Sequence, residues 1–196
     1  MRKKIGRKFF IRQTLVVAKN LLGKFLVRKI GKKIISGKIV ETEAYLGPVD
    51  RASHGYKMKK TPRSKAEYLI GGHIYIYLVY GMYWQLNIST EKAGLPRCIL
   101  IRALEPVIME DKKSKIKNKK LTNGPGKLCR WLKLDKSFYA EDLVKSKRIW
   151  LEDRDEKIKK SQIIATKRIG IDYAGRYWAN KKWRFYIKNS QFVSKK

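Results

Sequence analysis

Two acidic residues stand two apart in the stretch Val40-Glu41-Thr42-Glu43-Ala44-Tyr45. Alternation along a strand puts Ile35, Ile39, Glu41 and Glu43 on one face, with Val40 and Thr42 on the other. Glu43 then follows apolar neighbours into a partly dry pocket. Removing a carboxylate from water disfavours its charge and lifts its pKa toward neutrality, which suits a general base. The competing reading is that Glu41 and Glu43 pair with surface lysines. Arg102 alternates with Cys98 and Leu100 on a largely apolar face; a buried guanidinium needs an acceptor, and Glu43 is available.

Aromatic residues form the second group. Tyr45, Tyr75, Tyr77, Tyr80 and Tyr83 crowd together beside many cations. Such a mixture can serve as a platform for unstacked nucleobases, each stack contributing on the order of 1–3 kcal/mol. Tyrosine is also a favoured strand residue, so β-propensity explains part of the pattern. Tyr75 and Tyr77 share a face. Tyr80 has the opposite parity and adjoins Gly81 at a hairpin tip, where a bulky side chain can wedge into a base stack. Asn87, on a polar face with Gln85 and Ser89, reads as a surface residue.

Charge narrows the partner. Lys and Arg total 48 against 16 acidic residues, a net charge of +32. A surface this cationic favours a polyanion that displaces condensed counterions, nucleic acid first and an anionic membrane second. Several chemistries are excluded. With two cysteines, Cys98 and Cys129, two histidines, His54 and His73, and no Cys-x-x-Cys, neither a disulfide framework nor a zinc site is expected, and no cofactor is implied. Leu128 after Gly126-Lys127 breaks a phosphate-loop pattern, and no G-x-S-x-G elbow occurs. The apolar run at 15–18 is too short for a signal peptide or membrane span, so an intracellular protein, monomeric by default, is expected.

The positioning elements follow from periodicity. Residues 13–23 read as an amphipathic helix whose stripe extends to Phe25, and 32–44 as a strand. Residues 46–66 read as a loop with one short helix. Residues 73–80 and 83–90 form a hairpin about Gly81, and 98–103 another strand, ended by Glu105-Pro106. Residues 110–120 read as a solvated basic loop, and 121–132 as a helix with Thr122 as N-cap. Residues 149–152, 163–171 and 183–187 read as further strands. With no linker or repeat, the chain at 196 residues is expected to be one α+β domain (1–196), a mixed fold with mostly antiparallel strands.

Ordered motifs then carry a resemblance. Val40-Glu41-Thr42-Glu43-Ala44-Tyr45-Leu46-Gly47-Pro48, His54, Thr61-Pro62-Arg63, and 75–83 with its four tyrosines come first. Asn87-Ile88-Ser89, Leu100-Ile101-Arg102-Ala103-Leu104-Glu105-Pro106, Asn123-Gly124-Pro125-Gly126-Lys127 and Arg168-Ile169-Gly170-Ile171 follow. Together they resemble the alkyladenine (3-methyladenine) DNA glycosylase family of the mammalian type, over roughly residues 20–194. The resemblance implies a curved antiparallel sheet with flanking helices and a protruding hairpin. It implies Glu43 as the base activating water, with Arg102 helping to hold water and carboxylate. Tyr45, His54 and Tyr77 become pocket walls, Asn87 screens exocyclic groups, and Tyr80 fills the gap left in the duplex. Thr61, Arg63, Gly124 and Lys127 are expected along the DNA. The implied partner is double-stranded DNA with damaged purines, and the product an abasic site. Ser64 in place of an asparagine, His73 in place of a small residue, and Lys59-Lys60 depart from the family pattern. A neutral base such as hypoxanthine needs a proton on leaving, and no donor for it is evident.

Overall fold

The computed structural model describes residues 2–108 and 120–195. In chain order the regular elements begin with β1 (Lys3–Lys4), α1 (Arg7–Phe10), α2 (Thr14–Asn20), β2 (Phe25–Ile30) and β3 (Lys33–Tyr45). Then come β4 (Ile74–Val79), β5 (Tyr83–Ser89), β6 (Cys98–Ile108), α3 (Pro125–Trp131) and β7 (Ile149–Asp153). The last are β8 (Ile163–Thr166), α4 (Arg176–Ala179) and β9 (Arg184–Ile187). All strand pairs are antiparallel in one nine-stranded sheet of order β1-β7-β2-β3-β6-β5-β4, and β9, with β8 beside it, joins β3. This is the expected α+β architecture.

The long strand β3 organises the site. Its first half pairs with β2, and its second half pairs with β9 through Glu41, Thr42 and Glu43. Its register against β6 shifts twice, between Ile39 and Glu41, where β3 carries the extra residue of a bulge, and between Glu41 and Thr42, where β6 does. A bulge reverses the side-chain parity beyond it. Ile39 belongs to the main core with Val17, Ala18 and Leu21 of the α2 region, and so does Ala44. Thr42 reaches the same side, its Oγ1 donating to the Ala18 carbonyl over 3.0 Å. Glu41 and Glu43 therefore face away from Ile39. The simple alternation that grouped them with Ile35 and Ile39 is overturned, because periodicity in sequence does not show an inserted residue.

Other differences have similar local causes. The helical stripe that included Phe25 stops at Gly23, whose φ of 83° turns the chain so that Phe25 opens β2. β6 continues through Glu105 and Pro106, paired with Lys38 and Gly37. Proline is tolerated there because β5 pairs only with Cys98 to Leu100, which leaves that side of β6 without a strand partner. Thr122 caps nothing. Its Oγ1 donates to the Leu104 carbonyl over 2.6 Å, and Gly124 is the N-cap of α3. β8 ends at Thr166 instead of 171, and the 46–66 segment holds two 3-10 turns, Gly47–Val49 and Tyr56–Met58, and the start of a third, Lys65–Tyr68. The expected basic loop lies, but for Lys120, outside the described residues.

The core is a layer of Leu, Ile, Val and Phe between the sheet and the helices α1, α2 and α3. The opposite side near β3, β4 and β6 carries the polar and aromatic groups considered next.

Candidate active site

A recess of about 250 Å³ opens beside β4, β5 and β6, lined by Tyr45, His54, Glu67, Tyr75, Tyr77, Tyr80, Asn87, Cys98, Leu100, Arg102, Ile169 and Tyr173 among others. That is smaller than the roughly 300–1,000 Å³ of ordinary small-molecule clefts and suits one planar ring system. Glu43 is not itself part of the lining. It lies immediately behind it, with no exposed surface, held by three groups that do line it. The Ile169 amide donates to Oε1 over 2.8 Å, while the Tyr45 hydroxyl, 2.9 Å away, and Arg102 Nη1, 3.3 Å away, donate to Oε2. Burial, and then the adjacent Glu43 carboxylate, push the Tyr45 phenol well above its ordinary pKa, so it remains a donor.

The same guanidinium holds a second acid. Arg102 Nε donates to Glu41 Oε1 over 3.2 Å, and Arg184 Nη1 donates to that oxygen over 2.8 Å. The Ser194 amide closes the cluster on Glu41 Oε2 at 2.7 Å. Burial opposes the Arg102 charge, but Glu43 and then Glu41 outweigh it and raise its pKa. Glu41 and Glu43 thus pair with buried arginines, not surface lysines. A charge with several fixed donors is oriented as well as neutralised, and Glu41 fixes Arg102 from the far side.

The aromatic walls are interlocked. His54 Nδ1 and the Tyr75 hydroxyl share a hydrogen bond of 2.7 Å, and His54 meets Tyr77 edge-on with ring centroids 4.9 Å apart. Tyr75 and Tyr77 stand 5.1 Å apart at a tilt, as their shared parity requires. Burial, then the Arg63 charge, lower the His54 pKa and keep it neutral. Arg63 lies over the Tyr77 ring at 4.6 Å and donates to the Leu78 carbonyl over 3.1 Å. Thr61 and Ser64 brace this loop through a 3.1 Å hydroxyl pair, so the Ser64 departure still yields a closed turn.

Asn87 is buried, not on the surface. Its Nδ2 donates to the Tyr75 and Gln85 carbonyls, each over 3.2 Å, so the amide nitrogen is occupied by backbone. Polarity by itself misplaced it, because the β5 face that carries Asn87 forms part of the recess wall, between Tyr75 of β4 and Cys98 of β6.

Tyr80 stands at the β4–β5 turn, 86% exposed, with φ of 52°. Gly124 and Lys127 lie apart from the recess, at the start of α3. Gly126 between them must lack a side chain, because a Cβ there would sit 2.9 Å from the Tyr83 ring, beside the hairpin turn. Lys127 Nζ donates to Asn123 Oδ1 over 2.9 Å. The structure thus gathers Glu43, Arg102, Tyr45, His54, Tyr77, Asn87 and Tyr80 about one recess, places Arg63 of the Thr61–Arg63 loop over the Tyr77 ring without making that loop part of the lining, and leaves Gly124 and Lys127 outside it.

Sequence reasoning passed over Glu67, the Asp50–Arg168 pair and the Ile169 amide. Arg168 Nη2 donates to Asp50 Oδ1 over 2.9 Å, both side chains fully buried, and this pair fixes the segment whose next residue binds Glu43. Its signal in the sequence was the Arg168-Ile169-Gly170 motif. Glu67 had none.

Taken together, an aromatic recess for one heterocycle, backed by a buried Glu–Arg pair in a strongly basic chain, describes an enzyme that works on a nucleobase. A family model, methylpurine-DNA glycosylase, matches residues 8–191. A protein of Clostridium perfringens named "Putative 3-methyladenine DNA glycosylase" is 44% identical, over 98% of this chain and all of its own length. Proteins of the same name from Borrelia garinii subsp. bavariensis and Natranaerobius thermophilus are 44% and 43% identical, over 98% and 97% of this chain and 100% and 98% of their own lengths. The chain belongs to the methylpurine-DNA glycosylase family and is a DNA glycosylase, a hydrolase of N-glycosyl bonds. Among the described residues no helix is long and apolar enough to cross a membrane, and no His, Cys, Asp and Glu cluster could hold a metal ion.

Proposed function

We propose that this enzyme, acting as one domain, flips alkylated purines such as 3-methyladenine out of duplex DNA and hydrolyses their bond to deoxyribose, leaving an abasic site. The observation that carries this reading is Glu43, a fully buried carboxylate held by Tyr45, Arg102 and the Ile169 amide at the back of the aromatic recess. A water reaches it from the recess by taking the place of the Tyr45 hydroxyl on Oε2. Glu43 accepts the proton as the water oxygen attacks the anomeric carbon, and Arg102 holds the carboxylate in place through its 3.3 Å hydrogen bond.

Tyr45, Tyr77 and His54 clamp the extruded base between ring faces. Tyr80 takes its place in the duplex, offsetting part of the unstacking cost of a few kcal/mol. Asn87, held by two backbone carbonyls, presents its fixed amide as a steric and polar screen of the base edge. Arg63, Lys127 and the amides near Gly124 face the phosphates, and the net charge of +32 makes binding steeply salt-dependent.

Most glycoside hydrolases need two carboxyl groups. A 3-alkylated adenine already carries positive charge and leaves as a neutral base, so one carboxylate is enough for it. The decisive experiment is Glu43→Gln in single-turnover base release from methylated duplex DNA. Binding should persist and release should fall by at least about 100-fold, the usual contribution of a general base. Normal release by the variant, or no release by the wild type, sinks the assignment.

A further inference from the structure

One acidic side chain in the recess has no part in the chemistry above. Glu67, in the 3-10 turn Lys65–Tyr68, is 1% exposed and lines the same cavity as Tyr45, His54, Tyr77 and Asn87. Its Oε1 accepts from the Cys98 thiol over 3.4 Å, and its buried Oε2 has no hydrogen-bond partner among the described residues. No described lysine or arginine lies within ion-pair distance. Glu43 faces a guanidinium, whereas Glu67 faces a thiol.

An unpartnered buried carboxyl oxygen is costly unless a ligand completes it. We propose that Glu67 is a second catalytic carboxyl, the acid that protonates uncharged purines as they leave, so that neutral lesions are excised along with cationic ones. This rests on the excision reading above and extends it.

In the step, the Oε2 proton passes to a ring nitrogen of the purine. The C1′–N9 bond breaks, and its electron pair stays with the base, which departs neutral. Water oxygen bonds to C1′ and its proton goes to Glu43. Glu67 ends ionised and Glu43 protonated, and exchange with solvent resets both. The groups support these roles. Burial, only partly opposed by the Cys98 hydrogen bond, lifts Glu67 from 4.5 to about 8, so it holds its proton at neutral pH. The titratable groups facing it are the Cys98 thiol and the Tyr68, Tyr75, Tyr77 and Tyr139 phenols. Burial raises all of them above their ordinary values, so none competes as a proton donor near neutrality. One carboxyl faces a guanidinium and the other a thiol, and two such unlike surroundings are what separate base and acid roles require.

The test compares Glu67→Gln with the wild type in single-turnover release of two bases, 3-methyladenine from methylated duplex DNA and hypoxanthine from an inosine-containing duplex. The expected result is a loss about 100-fold greater on hypoxanthine than on 3-methyladenine, the scale of general-acid catalysis. The wild-type-to-variant ratio on hypoxanthine should also shrink as pH rises through about 8, where the acid ionises. Equal losses on both bases, or no loss on either, overturn the proposal and leave Glu67 a wall residue. Release of 3-methyladenine alone by the wild type overturns it while the excision reading stands; release of neither base sinks both. If Glu67→Gln does not fold, Glu67→Met, similar in length and apolar, serves in the same comparison.

Discussion

Replacing Tyr80 with glycine separates function from folding more cleanly than any change inside the recess. The side chain is 86% exposed, so its loss leaves no cavity in the core. Its φ of 52° is a left-handed conformation that costs a non-glycine residue roughly 1–2 kcal/mol and costs glycine almost nothing. Greater freedom of glycine in the unfolded chain offsets about 0.5–1 kcal/mol of that gain. Stability should therefore stay level or rise by about 1 kcal/mol, worth about 2–4 °C in Tm for a chain of this size. Excision should move the other way. One lost stack of about 1–3 kcal/mol on the flipped state slows release roughly 5- to 150-fold, at about 1.4 kcal/mol per factor of ten. Thermal unfolding with single-turnover release of 3-methyladenine measures both, and Tyr80→Phe, which keeps the ring, should stay near wild type. Full activity in a well-folded Tyr80→Gly protein would refute the wedge, and a fall in Tm would refute the strain argument.

Two further expectations concern the buried charges. Arg168→Met removes the only charged partner of the fully buried Asp50 carboxylate among the described residues, while the Leu46 and Ala52 amides remain on it. Breaking such a pair should cost about 3–5 kcal/mol in urea unfolding, and a loss under about 1 kcal/mol would contradict its burial. Glu67 should also leave a mark on stability against pH. Its folded-state pKa of about 8 lies above the ordinary 4.5, so the folded chain holds a proton that the unfolded chain has released between those values. The associated stability is complete below about pH 4.5 and is lost as pH rises through about 8. Glu67→Gln should flatten that slope in urea titrations across the window, and an unchanged slope would show that another group sets it.

The residues that line and back the recess were largely legible along the chain because they sit in short local motifs. The Glu43 stretch, the tyrosine hairpin with its tip at Tyr80, and Arg102 on the β6 face shared with Cys98 and Leu100 all depend on neighbours within a few positions. Hairpin parity put Tyr75 beside Tyr77 correctly, since no residue interrupts β4. Composition put nucleic acid ahead of an anionic membrane as the partner, and the family match makes it DNA.

What tertiary structure decided depends on contacts between distant residues. The bulge between Ile39 and Glu41 turned the two acids away from Ile39 toward Arg102, and alternation predicts the opposite face. Asn87 is buried because its strand runs between β4 and β6, with Tyr75 on one side and Cys98 on the other, although Gln85 and Ser89 on its own face are polar. Glu67 reads as one more charge in a basic, irregular segment; only folding buries it against Cys98, where burial changes which form of the acid is stable. Spacing along a chain reports which way a side chain points, but water exclusion is set by everything packed around it, and that is decided in three dimensions.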